Sequence, residues 1–270
     1  MTKPKTPTVL LISSTVAASR VGATAAGFCL RRLGVETVVL PTTVMGRHPG
    51  WGAPGGGRVS GDILRDVWAG VRAQNLTFDA VLSGYMGGHD HIDLSADIIA
   101  HVKTDNPTAK IVVDPVMGDH GRLYIPEARA KAIRDILVPL ADTITPNLWE
   151  LEYLTGTTDI AAACRSFPSV LVTSVPDGED KIGAQFHQGG AAWQVSHPKF
   201  ASVPHGGGDS LAALFLGRRL LGETPKSALA NSVASVFEIM RAANRLDTGE
   251  LPLIRMQAFI NDAIPLVIRP

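Results

Sequence analysis

The chain has 270 residues, 45% of them hydrophobic and only 6% aromatic, with 27 glycines, 18 prolines and two cysteines. Its 25 basic residues balance 25 acidic ones, so no bulk field recruits nucleic acid or an anionic membrane, and a phosphorylated ligand needs a local site. No apolar run approaches the roughly 20 residues of a membrane span, and Cys29 and Cys164, far apart among small or apolar neighbours, suit reduced thiols in a cytoplasm.

In chain order, Lys3 and Lys5 precede an apolar stretch, residues 9–12, that is too short for a signal-peptide core. Short β-branched or apolar runs at 9–12, 37–40, 80–83, 110–113, 143–145 and 170–175 predict buried strands. Helical spacing separates them: Ile63, Leu64, Val67, Trp68 and Val71; then Ile98, Ile99 and Val102; then Ala132, Ile133, Ile136, Leu137 and Leu140. This alternation predicts a single domain over 1–270, an α/β fold with a mostly parallel sheet and helices on both faces. Residues 41–60 carry too many Gly and Pro for a regular element and read as a long loop, a candidate substrate lid using Arg47, His48 and Trp51, or a solvated surface loop. Residues 181–187 and 191–197 flank a Gly-rich turn and predict an antiparallel hairpin at the sheet edge. Helices are expected over about 209–221, 225–245 and 253–263. In the second, Val233, Val236, Phe237 and Met240 read as core.

Three segments offer chemistry. His205-Gly206-Gly207-Gly208-Asp209-Ser210 runs straight into an apolar helical pattern. Glycines let backbone amides approach an anion at a helix start, where the helix dipole adds a partial positive charge. Asp209 is placed to act as general base beside a phosphoryl group, although the same segment reads equally well as an Asp helix cap after a turn. Asp114-Pro115-Val116-Met117-Gly118-Asp119 ends a strand, where open α/β sheets bind ligands, and offers a carboxylate to Mg²⁺; alone, it reads better as an Asp-Pro turn. Thr145-Pro146-Asn147 with Glu150 ends another strand and fits either a helix capping box or a water-mediated shell around Mg²⁺ and phosphate. His89-Asp90-His91-Ile92-Asp93 could suggest a transition metal, but its tight spacing fits a polar loop and helix start better.

Together, Ser83-Gly84-Tyr85-Met86-Gly87, Asp114 to Gly118, Thr145 to Asn147 with Glu150, and Gly206 to Asp209 resemble the pyridoxal kinase branch of the ribokinase superfamily over nearly the whole chain. The resemblance implies a ribokinase-like three-layer α/β/α sandwich, ATP and Mg²⁺ with a possible monovalent cation such as K⁺, and a homodimer. By it Asp209 is the base, and the Gly206, Gly207 and Gly208 amides form the anion hole. Asp114 and Glu150 organise Mg²⁺ and phosphates, with Thr145 and Asn147 beside the nucleotide. Ser14, at the end of the first strand, lines the small-molecule substrate with Thr43, His48, Trp51 and Tyr85, while Thr173, His197, Lys199 and Phe200 line adenine and ribose.

The chain departs from that pattern at residues 15–22, where bacterial relatives are often richer in histidine and glycine. Leu123 stands about where some carry a cysteine, and Thr173 replaces a lysine seen in some, which disfavours aldehyde capture by a thiol. Two rivals stay open: a hydroxymethylpyrimidine kinase, which usually has a cysteine in place of Asp209, and a non-catalytic binder of pyridoxal phosphate or nucleotide.

Overall fold

The computed structural model of the chain describes residues 6–269; Lys3 and Lys5 lie outside them. β1 (Thr8–Val16), α1 (Gly22–Arg32), β2 (Glu36–Met45) and β3 (Gly56–Arg58) come first, then α2 (Gly61–Arg72), β4 (Ala80–Ser83), α3 (His89–Asp105) and β5 (Lys110–Val113). A small hairpin of β6 (Gly118–Asp119) and β7 (Arg122–Leu123) leads into α4 (Glu127–Ala132), β8 (Thr143–Ile144), α5 (Leu148–Thr155) and α6 (Ile160–Cys164). Next come β9 (Ser169–Pro176), β10 (Lys181–Gln188) and β11 (Ala191–Pro198), then α7 (Gly207–Leu220), α8 (Pro225–Leu246), α9 (Phe259–Asp262) and β12 (Ile268–Arg269).

Ten of these strands form one sheet in the order β12-β11-β10-β9-β8-β5-β4-β1-β2-β3. From β9 to β2 neighbouring strands run parallel; β3, β10, β11 and β12 join antiparallel. A strand covered on both faces needs apolar side chains in both directions, which is why β1 reads as an unbroken apolar run. Leu10 and Ile12 enter one core with Trp68, Ile98 and Leu151, while Val9 and Leu11 enter the other with Leu30, Leu214 and Ile239. This is the expected three-layer α/β/α arrangement. Because β1 lies between β2 and β4, the chain leaves it in opposite directions, and a crevice opens beyond the carboxyl ends of β1 and β4.

Four expectations need correction. Residues 41–60 are not one irregular loop: β2 continues through Pro41 to Met45, Pro49–Trp51 forms a 3₁₀ turn, and β3 pairs antiparallel with the end of β2. Pro41 is tolerated because the β1–β2 register shifts there, between Ser13 and Thr15. Gly56 serves close backbone approach, since a Cβ there would lie 2.3 Å from the Val44 carbonyl oxygen. That bulge also means Ser14 does not end the first strand, which continues to Val16. The β10–β11 hairpin forms but is not the edge, because β12 pairs with Gln194 and Val195. Residues 253–258 make turns rather than helix: Leu251 and Leu253 are both buried, a spacing of two that one helix face cannot supply, so only Phe259–Asp262 is helical. No helix among the described residues is long and apolar enough to cross a membrane.

Candidate active site

Gly206 is the N-cap of α7, with φ of +97°, and a Cβ there would lie 2.0 Å from the Arg20 carbonyl oxygen, so only glycine fits. Gly207 abuts Met240, while Gly208 faces open space, leaving room at the helix start for a ligand. The first-turn amides of an α-helix have no intrahelical acceptor, so those of Gly207 and Gly208 are available to an anion. Asp209 lies in that first turn but is not the cap. Its carboxyl accepts hydrogen bonds from the Gly22 amide and from its own amide, yet burial raises its pKa above the ordinary carboxylate value. Gly22, with φ of +56°, is pressed against Ser14, where a Cβ would meet Ser14 Oγ at 2.4 Å. Ser14, Gly22 and Asp209 are thereby drawn into one wall.

Asp209 and Asp114 line a common cleft with Ser13, Gly22, Ser83 and Gly84. Burial, then Glu150 and Asp209, drive the Asp114 carboxyl well above its ordinary range. Val116, a β-branched residue, is held at φ of +34°, a strained backbone that its surroundings fix. Glu150 supplies the restraint: its Oε1 accepts from the amides of Met117 (2.7 Å) and Gly118 (3.3 Å). Its Oε2 accepts from the Asn147 amide at 2.9 Å, and Asn147 Oδ1 accepts from the Glu150 amide, completing the expected capping box. Asn147 Nδ2 also donates to the Gly118 carbonyl at 2.9 Å. Burial, despite these three amides, pushes Glu150 up to about 7.

Three hydroxyls around this cleft are buried with no partner: Ser83 Oγ, Thr145 Oγ1 and Thr43 Oγ1. Ser83 ends β4 and Thr145 follows β8, on either side of β5, which leads into Asp114. An orphaned buried hydroxyl is costly unless a ligand or water completes it. Mutually repelling carboxylates and oxygen-only donors fit a hard divalent cation that retains much of its water. Among the described residues no three His, Cys, Asp or Glu side chains come together as a metal cage.

Tyr124, which sequence reasoning missed, follows β7. It is 55% exposed, and the protein packed around it, then Glu150, Asp114 and Asp209, raise its phenol pKa above the ordinary value, which puts it beside the same acidic groups.

At the carboxyl ends of β2 and β4, Thr43 is buried and Tyr85 half-buried; the Tyr85 amide donates to Ser13 Oγ and its carbonyl accepts from Thr42 Oγ1. His48 is half-buried and Trp51, 40% exposed, stands edge-on to it with ring centres 6.3 Å apart. On the other side, Thr173 bridges to Asn147, and its amide donates to the Pro146 carbonyl. His197 and Phe200 meet Phe237, whose ring stacks on Phe200 at 5.6 Å with the Arg241 guanidinium 5.7 Å from its centre. Phe237 is half-buried, so it is part of an aromatic ledge rather than plain core. Lys199 is exposed and donates to the Glu179 carbonyl. His91 starts no metal site: it is fully buried, its Nδ1 accepting from the Gly87 amide and its Nε2 donating to the Val59 carbonyl.

A family model described as phosphomethylpyrimidine kinase matches residues 59–254. The chain is 37% identical to pyridoxal kinase PdxY of Leifsonia xyli subsp. xyli, covering 93% of this chain and 94% of that one. It is 38% identical to pyridoxal kinase PdxY of Corynebacterium diphtheriae, over 93% and 95% of the two chains. Its fold matches that of the Leishmania donovani pyridoxal kinase in complex with ADP and pyridoxamine, with a TM-score of 0.87, 24% identity and coverage of 97% and 99%.

Proposed function

Since this chain belongs to the pyridoxal kinase family, we propose that it transfers the γ-phosphoryl group of ATP to the 5′-hydroxymethyl of pyridoxal, pyridoxine or pyridoxamine, the phosphorylation step of vitamin B6 salvage. The observation that carries this reading is Asp209: a carboxyl with raised pKa, in the first turn of a glycine-led helix, sharing a cleft with Asp114. Asp209 takes the hydroxyl proton as the oxygen attacks the γ-phosphorus, and ADP leaves on the opposite side. The amides of Gly207 and Gly208 donate to the phosphoryl oxygens, whose charge is shared most widely in the transition state.

Mg²⁺, when bound with the nucleotide, neutralises phosphate charge. Asp114 would hold it, and Glu150, whose oxygens already accept three amides, would reach it through water. Thr145, Asn147 and Thr173 flank the phosphates, with His197, Lys199 and Phe200 toward the base. Ser14, Thr43, His48, Trp51 and Tyr85 hold the acceptor ring. A single domain, a homodimer, a cytoplasmic setting and a monovalent cation complete the proposal on the family likeness, with the two buried free cysteines supporting a reducing compartment.

The test is ATP consumption by the purified protein with Mg²⁺, offering the three vitamers and hydroxymethylpyrimidine in parallel and identifying products by mass. Phosphorylated vitamer is the expected product. Turnover of the pyrimidine alone would transfer the chain to the branch whose description the matching family model carries, and tight binding without turnover would make it a binder.

A further inference from the structure

The segment 15–22, one of the places where the sequence departs from the family pattern, lies at a junction of four pieces of chain. Ser19 is fully buried, and its Oγ accepts from the His48 amide at 3.2 Å. The Arg20 amide donates to Glu250 Oε2 at 2.8 Å, and its carbonyl is the atom packed against Gly206. Across this floor the imidazoles of His48 and His205 stack, ring centres 4.2 Å apart and 25° from parallel. His205 immediately precedes the three glycines. His48 Nδ1 accepts from the Gly50 amide, which fixes the 3₁₀ turn bearing Trp51, and Trp51 in turn lies beside Gly249.

We infer that His205 is a positioning residue, which clamps the turn carrying His48 and Trp51 onto the glycine loop through the stacked imidazoles, so that the acceptor pocket closes only while His48 is neutral. A proton on His48 is disfavoured here by burial first and then by His205, whereas the neutral ring stacks without that cost. The ionisable groups around His48 are His205 from the glycine loop and Glu250 from the segment after α8; Arg47 precedes it and donates Nε to the Ala53 carbonyl, and Asp209 interacts with His205. Burial first, then His205, hold the His48 pKa below its ordinary value, while Glu250 opposes them. The sign follows: a released turn takes up the proton first, so closure is complete above about pH 6.5 and is lost as pH falls below it. The departure at 15–22 thus supplies the floor for a clamp, with Ser19 holding the turn and Arg20 holding Glu250.

The kinetic half of the test rests on the kinase reading; the spectroscopic half does not. Trp51 emission of the ligand-free protein, taken as the difference between the parent and Trp51→Phe, should titrate with a midpoint below 6.5. In His205→Ala the midpoint should move up toward 6.5. For turnover, His205→Ala should raise the vitamer KM roughly two- to tenfold, the worth of one aromatic pair, with a smaller change in kcat. His205→Phe, which keeps a stacked ring without a titrating nitrogen, should restore KM and carry its plateau to lower pH. Unchanged KM and midpoint in His205→Ala would overturn the clamp, and so would a loss confined to kcat, which would tie His205 to Asp209 instead. A titrating Trp51 signal in a protein that phosphorylates no vitamer would leave the clamp standing and remove the kinase reading.

Discussion

Asp209 carries the sharpest residue-level prediction. Asp209→Asn keeps the shape, the Gly22 hydrogen bond and the helix start but cannot take a proton. Steady-state kinetics should show kcat lowered about 10²- to 10⁴-fold, the range for loss of a general base. Calorimetry should find vitamer affinity within a few-fold of the parent; unchanged turnover would remove Asp209 as base. In the sequence, Asp209, Asp114 and Asn147 were legible because each sits where an apolar run meets a glycine or proline, a junction visible in one dimension. Their convergence was not legible, since it depends on strands β4, β5 and β8 lying side by side. Tyr124 gave no signal at all: it is delivered by two strands of two residues each, too short for any periodicity to register.

The capping box of α5 joins an ordinary helix end to the strained turn at Val116. Asn147→Ala removes the cap and the donor to Gly118, so a loss of about 0.5–2 kcal/mol is expected, a fall of a few degrees in Tm. Asp159→Ala, which removes the side-chain cap of α6, is the control. Both should lower Tm, but only Asn147→Ala should raise the KM for ATP, because only that cap also fixes the turn after Asp114. Equal ATP KM values in the two variants would make the α5 cap merely structural. Most elements were readable from apolar spacing, including the long α8 and the β10–β11 hairpin. The end of β2 and all of β3 were not, because a glycine placed for close backbone approach, as Gly56 is, looks in sequence like its neighbours Gly55 and Gly57, which face open space. Residues 253–258 misled for a related reason: apolar side chains fixed by packing rather than by a helical turn imitate part of a period.

At the scale of the molecule, net charge is balanced, yet the cleft concentrates uncompensated carboxylates. Glu150 titrates near 7 in the fold, against about 4.5 when unfolded, and Asp114 and Asp209 are also raised. A carboxyl raised in this way binds its proton more tightly in the native state, so its contribution is greatest below about pH 4.5 and is lost as pH rises through about 7. For Glu150 alone the change is on the order of 3 kcal/mol, at about 1.4 kcal/mol per pH unit. Thermal unfolding should therefore show Tm of the metal-free protein dropping between pH 5 and 8, and Mg²⁺ with nucleotide should flatten the drop. A Tm that rises over that interval without ligand would contradict the enclosed acidic cluster. The two sides of the cleft also differ in construction. Asp209 and Gly22 stand on α7 and α1, packed so closely that a Cβ on Gly217 would come within 2.8 Å of Leu33, whereas His48 and Trp51 stand on a turn beyond an edge hairpin. Residues 52–55, at the tip of that hairpin, can therefore change in length or composition with the least disturbance to Asp209 and Gly22, which makes them the place where protein engineers could insert new sequence.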